Sequence, residues 1–401
     1  MIIQTNRCRS CGCHLSPVFS LPAIYPSVFV AQPVIPDGWI KVPLDLLSCN
    51  GCGLIQLGHS FSQDDLYRQY WYQSSLNSTM VAALRDVVRC SAEISGLKSG
   101  DTVMDIGCND GTLLSLYPEM GHHVRRIGVD PSRNLADKAK ANCDLFLNEY
   151  FSRNPGADRC QLITAIAMFY DLEDVSEFME SVKSWLDRKG VLVIQMTDLC
   201  SMICQNAFDN IVHEHLEYWS LDAMIQVMQR FGMVVFRVET NDTNGGSLRA
   251  YCSNRGEREI DSTVEFYLKK ERHIIKDGLP EFYHTMMQTL AALRAFLLTA
   301  HQDGKKVCGI GASTKGNTLL QLLEANSSLI SSIGEVSKEK FGYYTIGSSI
   351  PIRSEVEVLA ENPDYLLILP WHFAGGFKKK LIGRNLVIPM PVPTLNGAAL
   401  C

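Results

Sequence analysis

The stretch Asp101-Thr-Val-Met-Asp105-Ile-Gly107-Cys-Asn109-Asp-Gly111-Thr-Leu-Leu114 decides how this chain is read. Val103 to Ile106 is an apolar run of strand length, Gly107 to Gly111 is a turn, and Thr112 opens a helical pattern. A Rossmann-type sheet offers its backbone to a nucleotide-like ligand in this order, because glycine enters dihedrals closed to other residues and lets the ligand approach the main chain. The spacing is Asp-x-Gly-x-x-x-Gly, not the Gly-x-Gly-x-x-Gly of a dinucleotide site, and no lysine and serine follow to cradle a phosphate. About twenty residues on, a second apolar segment, Arg126 to Val129, ends in Asp130, which is placed to accept hydrogen bonds from ribose hydroxyls.

Together these features resemble a class I S-adenosylmethionine-dependent methyltransferase, whose cofactor carries no phosphate. The resemblance makes Asp105, Gly107, Asn109, Gly111 and Asp130 cofactor-binding residues; a dehydrogenase-like dinucleotide site is the lesser reading.

Working outward, a chain of 401 residues exceeds one ordinary core and predicts two or three domains. No apolar run is long enough to span a bilayer, and the N-terminus MIIQTNRCRSCG lacks the apolar core and small-residue cleavage site of a secretory signal. A cytoplasmic protein without membrane attachment is expected. A formal net charge of −6 argues against a general nucleic-acid binder and favours small ligands. A monomer is expected.

Fourteen cysteines without a secretory signal point to reduced thiols, with clustered ones holding metal. Cys8-Arg-Ser-Cys11 and Cys49-Asn-Gly-Cys52 are two knuckle-forming pairs, and four thiolates satisfy a tetrahedral zinc with no open position, so a structural zinc is expected. Cys13 and His14 are neighbouring substitutes.

Three segments follow: a zinc-binding domain over 1–72, a methyltransferase domain over 73–232 and a Rossmann-like domain over 233–401. In the second, strands are expected at Val103 to Ile106, Arg126 to Val129, Leu162 to Ala167 and Val191 to Met196, after a helix over Met80 to Ile94. Ligands of such sheets bind beyond the carboxyl ends of the strands, which gathers Asp105, Gly107, Asp130 and Met168-Phe-Tyr170-Asp around one crevice. The third segment carries a glycine turn at Asn244-Gly-Gly-Ser247, a strand-like Leu248 to Cys252 and helical patterns to about Ala300. A buried strand ending near Ala312 then meets a helix opened by Ser313-Thr-Lys315-Gly316-Asn317-Thr318. A helix N-terminus with a lysine is a natural anion site, and a pyrophosphate is the expected guest. Strands at Tyr365 to Leu369 and Asn385 to Pro389 complete a second α/β unit.

Between the two folds lies Phe208-Asp-Asn-Ile-Val-His213-Glu214-His215-Leu-Glu217. The spacing is not the His-Glu-x-x-His of a metalloprotease, so general acid/base work is the functional reading. A histidine titrates near neutrality, and a neighbouring carboxylate orients it. The bland alternative is a pair of histidines bonded to backbone carbonyls. For Tyr67 to Tyr72, an aromatic cluster, packing is the first reading and ligand contact the second.

The full series is Cys-x-x-Cys, Cys-x-x-Cys-Gly-Leu, Tyr70-x-Tyr72-x-Ser-Ser, Asp-Ile-Gly-Cys-Asn-Asp-Gly, His213-Glu-His, Gly-Gly-Ser-Leu-Arg249 and Gly-Ala-x-x-Lys315-Gly-Asn-Thr. It resembles the nucleotide-sugar C-methyltransferases over nearly the whole chain. The resemblance implies C-methylation, at carbon three, of a nucleotide-linked 4-keto-6-deoxysugar through an enolate, in branched deoxysugar biosynthesis. By it His215 is the general base, Glu214 and Tyr72 position the sugar or stabilise the enolate, and Lys315, Gly316, Asn317 and Thr318 receive the phosphates. His213 and Tyr170 join the catalytic set, and Met168 the cofactor set. Two positions depart from the family: Val212 where tyrosine is common before His-Glu-His, and Tyr170-Asp171 where histidine is common after the fourth core strand. Methylation at oxygen or nitrogen, or silent binding of a nucleotide sugar, are the alternatives.

Overall fold

The computed structural model describes residues 3–154, 156 and 158–400. The chain forms two compact units, one of Met1–Pro17, Leu47–Leu199 and Leu216–His273, the other of Val18–Leu46, Cys200–His215 and Ile274–Cys401.

The first unit holds a seven-stranded sheet: β1 (Thr102–Ile106), β2 (Arg125–Val129), β3 (Leu145–Leu147), β4 (Cys160–Ile166), β5 (Leu186–Met196), β6 (Met233–Asn241) and β7 (Ser247–Asn254). Their spatial order is β6-β7-β5-β4-β1-β2-β3, with β1 to β5 all parallel and β7 antiparallel to both β5 and β6. The chain runs outward from β1 to β3 and returns to β4, so the strand order reverses between β1 and β4. A ligand crevice belongs at that switch point. The four expected strands are present. Strands β6 and β7, which the sequence placed in the third segment, sit in this first sheet, because Leu248 to Cys252 of β7 pairs with Leu192 to Met196 of β5 and β6 pairs in turn with β7.

Helix α1 (Ser78–Ser95) begins where the Asn77 side chain accepts the Thr79 and Met80 N–H groups, and it ends at Gly96 with φ +69°. Its apolar positions Met80, Leu84, Val87 and Val88 recur at helical spacing and are buried. Beyond β1, helix α2 (Thr112–Glu119) starts after Gly111, and helix α3 (Ala136–Asn142) lies beside it. A Cβ on Gly111 would stand 2.7 Å from the Asn142 Cβ and 3.2 Å from the Ala139 Cα. Gly111 therefore serves close packing as well as the turn.

The long helix α4 (Ser262–Gln302) crosses from the first unit into the second. The second unit's sheet comprises β8 (Val307–Ile310), β9 (Ile333–Glu335), β10 (Ile352–Ser354), β11 (Tyr365–Ile368), β12 (Leu386–Ile388), β13 (Thr394–Leu395) and β14 (Ala398–Ala399), in the order β10-β9-β8-β11-β12-β13-β14. The first five are parallel and reverse between β8 and β11. This is a second doubly wound unit, with its own switch point between the loop after Ile310 and the loop after Ile368. Helix α5 (Thr314–Leu322) opens there, its Ser313 side chain accepting the Gly316 N–H. Among the described residues no helix is long and apolar enough to cross a membrane.

Candidate functional site

In the first unit the turn after β1 is left-handed at Gly107 (φ +70°), Asn109 (φ +54°) and Gly111 (φ +76°). A Cβ on Gly107 would meet Met168 side-chain atoms at 3.1 and 3.2 Å, so Met168, at the carboxyl end of β4, lies directly over the turn. Asp130, at the end of β2, closes the other side: one carboxylate oxygen accepts the Asn109 N–H and the other the Ser132 N–H, each at 2.8 Å. Asp105 is buried beneath, bonded by the Thr164 hydroxyl at 2.6 Å, and burial lifts its carboxyl to about 7. The switch point thus gathers Asp105, Gly107, Asn109, Asp130 and Met168.

Asn109 has a second task that spacing did not reveal. Its side chain donates to the Tyr72 carbonyl at 3.0 Å and accepts the Ser74 N–H at 3.0 Å, while Asp110 accepts the Ser75 N–H. Tyr72, 39% exposed, is thereby tied by its backbone to the glycine turn. Tyr170 is buried, and its carbonyl accepts the Leu216 N–H at 2.8 Å.

The first unit also holds the cysteine pairs. The sulfurs of Cys8, Cys11, Cys49 and Cys52 all lie within 4.8 Å of one another, with Cys8 to Cys52 at 3.6 Å and Cys11 to Cys49 at 3.3 Å. A tetrahedral zinc with Zn–S bonds of about 2.3 Å places its sulfurs about 3.8 Å apart, so the four fit such an ion. The first knuckle is braced by Arg230, whose guanidinium donates to the Ser10 carbonyl and hydroxyl. Cys13 lies outside the four-sulfur group, its thiol pressed against Gly51.

In the second unit the segment Phe208 to His215 is buried throughout. His215 Nδ1 lies 2.9 Å from the Asn210 carbonyl, which commits Nδ1 as donor and leaves Nε2 as the basic nitrogen. Burial and the positive charge of Lys315 push its pKa down to about 3, so the ring is neutral. Burial drives Glu214 the other way, to about 7, against the opposing field of Lys315. His213 Nε2 lies 3.2 Å from the Val42 carbonyl, and Val212 beside it is 1% exposed.

Lys315 reaches this cluster directly, its ammonium 2.5 Å from the Asn210 side-chain carbonyl. The other expected phosphate residues face elsewhere. Asn317 donates to the Val28 carbonyl at 3.1 Å, Thr318 shares a 2.6 Å hydroxyl bond with Ser27, and both are fully buried. A Cβ on Gly316 would stand 2.7 Å from the Leu369 Cβ, so that glycine serves packing. Glu335, ending β9 where a dinucleotide fold keeps its ribose acid, accepts its own chain's N–H groups from Ala312, Val336 and Ser337.

Three neighbours of the cluster were not among the residues singled out from the sequence. Asp209 is buried and accepts the Trp371 indole N–H at 2.8 Å, Asn210 joins base to lysine, and His372 is pushed down to about 3 by burial and Lys315. Trp371 and His372 follow β11 at the switch point, where the strand-end rule could have pointed to them.

Residues 76–238 match the methyltransferase domain family, and residues 242–391 match the C-methyltransferase C-terminal domain family. The C-methyltransferase NovU of Streptomyces niveus is 29% identical over 371 residues, covering 89% of this chain and 88% of NovU. The chain is thus similar to methyltransferases in both parts and to a C-methyltransferase over nearly its whole length. Among solved structures, the magnesium protoporphyrin IX methyltransferase ChlM from Synechocystis PCC 6803 with bound SAH is 15% identical over 44% of this chain and 88% of its own, with a TM-score of 0.36. A SAM-dependent methyltransferase from Aquifex aeolicus is 17% identical over 44% of this chain and 97% of its own, with a TM-score of 0.31. The strand order of the first sheet fixes the class I core.

Proposed function

We propose that this enzyme methylates carbon three of a nucleotide-linked 4-keto-6-deoxysugar by way of an enolate, in the making of a branched deoxysugar. The observation that carries the reading is the 2.9 Å contact between His215 Nδ1 and the Asn210 carbonyl, with Lys315 and Glu214 alongside. Carbon becomes nucleophilic only when an adjacent ketone makes its proton removable, so C-methylation needs a base and a holder of enolate charge. An oxygen or nitrogen acceptor needs less.

S-adenosylmethionine supplies an electrophilic methyl group when bound, and Asp105, Gly107, Asn109, Gly111, Asp130 and Met168 are the residues proposed to hold it. Asp130 is assigned the ribose hydroxyls, and Met168 covers the turn through Gly107. His215 takes the proton at Nε2. Glu214, protonated for part of the population at neutrality, can donate to a substrate oxygen. Tyr72 is assigned to the sugar, Tyr170 to the catalytic set, and His213 to anchoring the segment through Val42. Lys315 to Thr318 mark the start of the helix first assigned to the phosphates. In this reading the cysteine pairs within residues 1–72 carry the metal, the sheet of the first unit the methyl donor and the second unit the nucleotide sugar, with zinc as a structural ion in a cytoplasmic enzyme.

The test is incubation with thymidine diphosphate 4-keto-6-deoxyglucose and methyl-13C S-adenosylmethionine, read by NMR of the product. A methyl carbon coupled to a ring carbon supports the reading. A methyl on oxygen or nitrogen replaces it with the simpler reaction, and binding without turnover leaves a silent nucleotide-sugar protein.

A further inference from the structure

We propose that Lys315 is a catalytic cation that faces the substrate carbonyl oxygen and takes up the negative charge appearing there, held in place by Asn210, and that it is not a ligand of the diphosphate. This rests on the enolate reading above. Asn210 touches both partners: its side-chain carbonyl receives the Lys315 ammonium at 2.5 Å, and its backbone carbonyl receives His215 Nδ1 at 2.9 Å. One residue therefore sets the distance between the cation and the base. Asn210 is in turn fixed by its own amide, which donates to the Ala207 carbonyl at 2.9 Å.

Three of the donors that a phosphate cradle around Lys315 would use are engaged elsewhere. A diphosphate at a helix N-terminus needs free N–H groups and adjacent side-chain donors. Here the Gly316 N–H is bonded to the Ser313 hydroxyl at 3.0 Å, and the Asn317 and Thr318 side chains hold residues 27–28. The segment Phe208–Asn210 occupies the switch point, with Asp209 bonded to Trp371. The field of Lys315 falls on Asp209, Glu214, His215 and His372 together, so its charge is aimed at the acid/base groups.

The chemistry requires such a cation. A neutral imidazole removes a carbon-bound proton readily only where the charge left on the carbonyl oxygen is stabilised. The reaction becomes feasible when the same field that weakens the base also stabilises the carbanion. In the step, the C–H bond breaks and its proton passes to His215 Nε2. The freed electron pair forms the C=C bond, and the carbonyl π pair moves to the oxygen opposite the ammonium. When the C=C pair forms the new bond to the methyl group, the S–CH3 bond of the sulfonium donor breaks and its pair stays on sulfur as a neutral thioether, the carbonyl re-forms, the ammonium faces a neutral oxygen again, and His215 releases its proton to solvent. Lys315 thus interacts more strongly with the charged intermediate than with the ground state, which is what lowers a barrier.

The experiment compares wild type, Lys315→Met and Lys315→Arg, each checked by thermal unfolding, with thymidine diphosphate 4-keto-6-deoxyglucose as probe. For Lys315→Met, kcat for both deuterium wash-in and methyl transfer should fall by about 10²–10³-fold, the scale of losing one oxyanion donor, while KM for the probe stays within about 3-fold. Lys315→Arg should recover part of the loss. A KM raised about 10-fold or more with kcat unchanged would mark a phosphate ligand and overturn the proposal. If wild type neither exchanges nor methylates the probe, the substrate reading has failed, and Lys315 is judged by NMR titration of His215. An upward movement of its titration in Lys315→Met supports the placement, and an unmoved titration overturns it.

Discussion

The backbone carbonyl of Asn210 stands 2.9 Å from Nδ1 of His215, five residues apart in a buried segment. A carbonyl can only accept, so the ring proton sits on Nδ1 and the lone pair on Nε2. Replacing His215 with Gln should lower methyl transfer by about 10²–10⁴-fold, the usual contribution of a positioned base. Cofactor affinity, measured by calorimetry, should hold. Equal loss of both would make His215 structural.

The activity profile with pH follows from the same environment. His215, pushed down to about 3, is neutral across the working range, so the acid limb should show no histidine near 6.5. Glu214, lifted to about 7, loses its proton as pH rises, so activity should fall on an alkaline limb near 7 that Glu214→Gln removes. Stability has the matching signs. The His215 contribution is present above its unfolded pKa of about 6.5 and is lost as pH falls toward 3, while that of Glu214 is present below about 4.5 and is lost as pH rises through 7. Urea unfolding from pH 4 to 8 with each variant checks both directions.

Gly107 and Gly111 should separate binding from packing. Both are left-handed, which costs a non-glycine residue about 1–2 kcal/mol. Gly111→Ala adds a clash with Asn142 and the α3 backbone, typically about 1–3 kcal/mol, and should lower the unfolding free energy most. Gly107→Ala meets only the flexible Met168, and should weaken cofactor binding more than it lowers Tm.

The four-sulfur cluster predicts about one zinc per chain by metal analysis, bound tightly enough that Cys49→Ser releases it and unfolds its surroundings. Wild-type protein without metal would end that assignment.

Much of this was legible in the sequence because it is local. The strands around Asp105 and Asp130 announce themselves as apolar runs ending in polar turns, and two Cys-x-x-Cys pairs carry their geometry in their spacing. What stayed hidden depends on long-range pairing. Strands β6 and β7 look like the start of a new segment until β7 is seen against β5. Lys315 reads as a phosphate ligand because a helix start with a lysine is the same string whatever stands before it. Only the fold shows Asn210 there, 105 residues earlier in the chain. Gly316 likewise reads as a ligand glycine, and only the fold shows that Leu369 also excludes a side chain there.

The most direct measurement is mass spectrometry of thymidine diphosphate 4-keto-6-deoxyglucose incubated with the enzyme and S-adenosylmethionine in deuterated water, alongside His215→Gln and an ordinary-water control. The account predicts, with wild type, a product in which one carbon-bound methyl group has replaced the exchangeable hydrogen and enzyme-dependent deuterium at that carbon in the sugar left unmethylated, both slowed by about 10²-fold or more in the variant. Methyl transfer at the wild-type rate in His215→Gln, or a methyl found on oxygen or nitrogen, would contradict it.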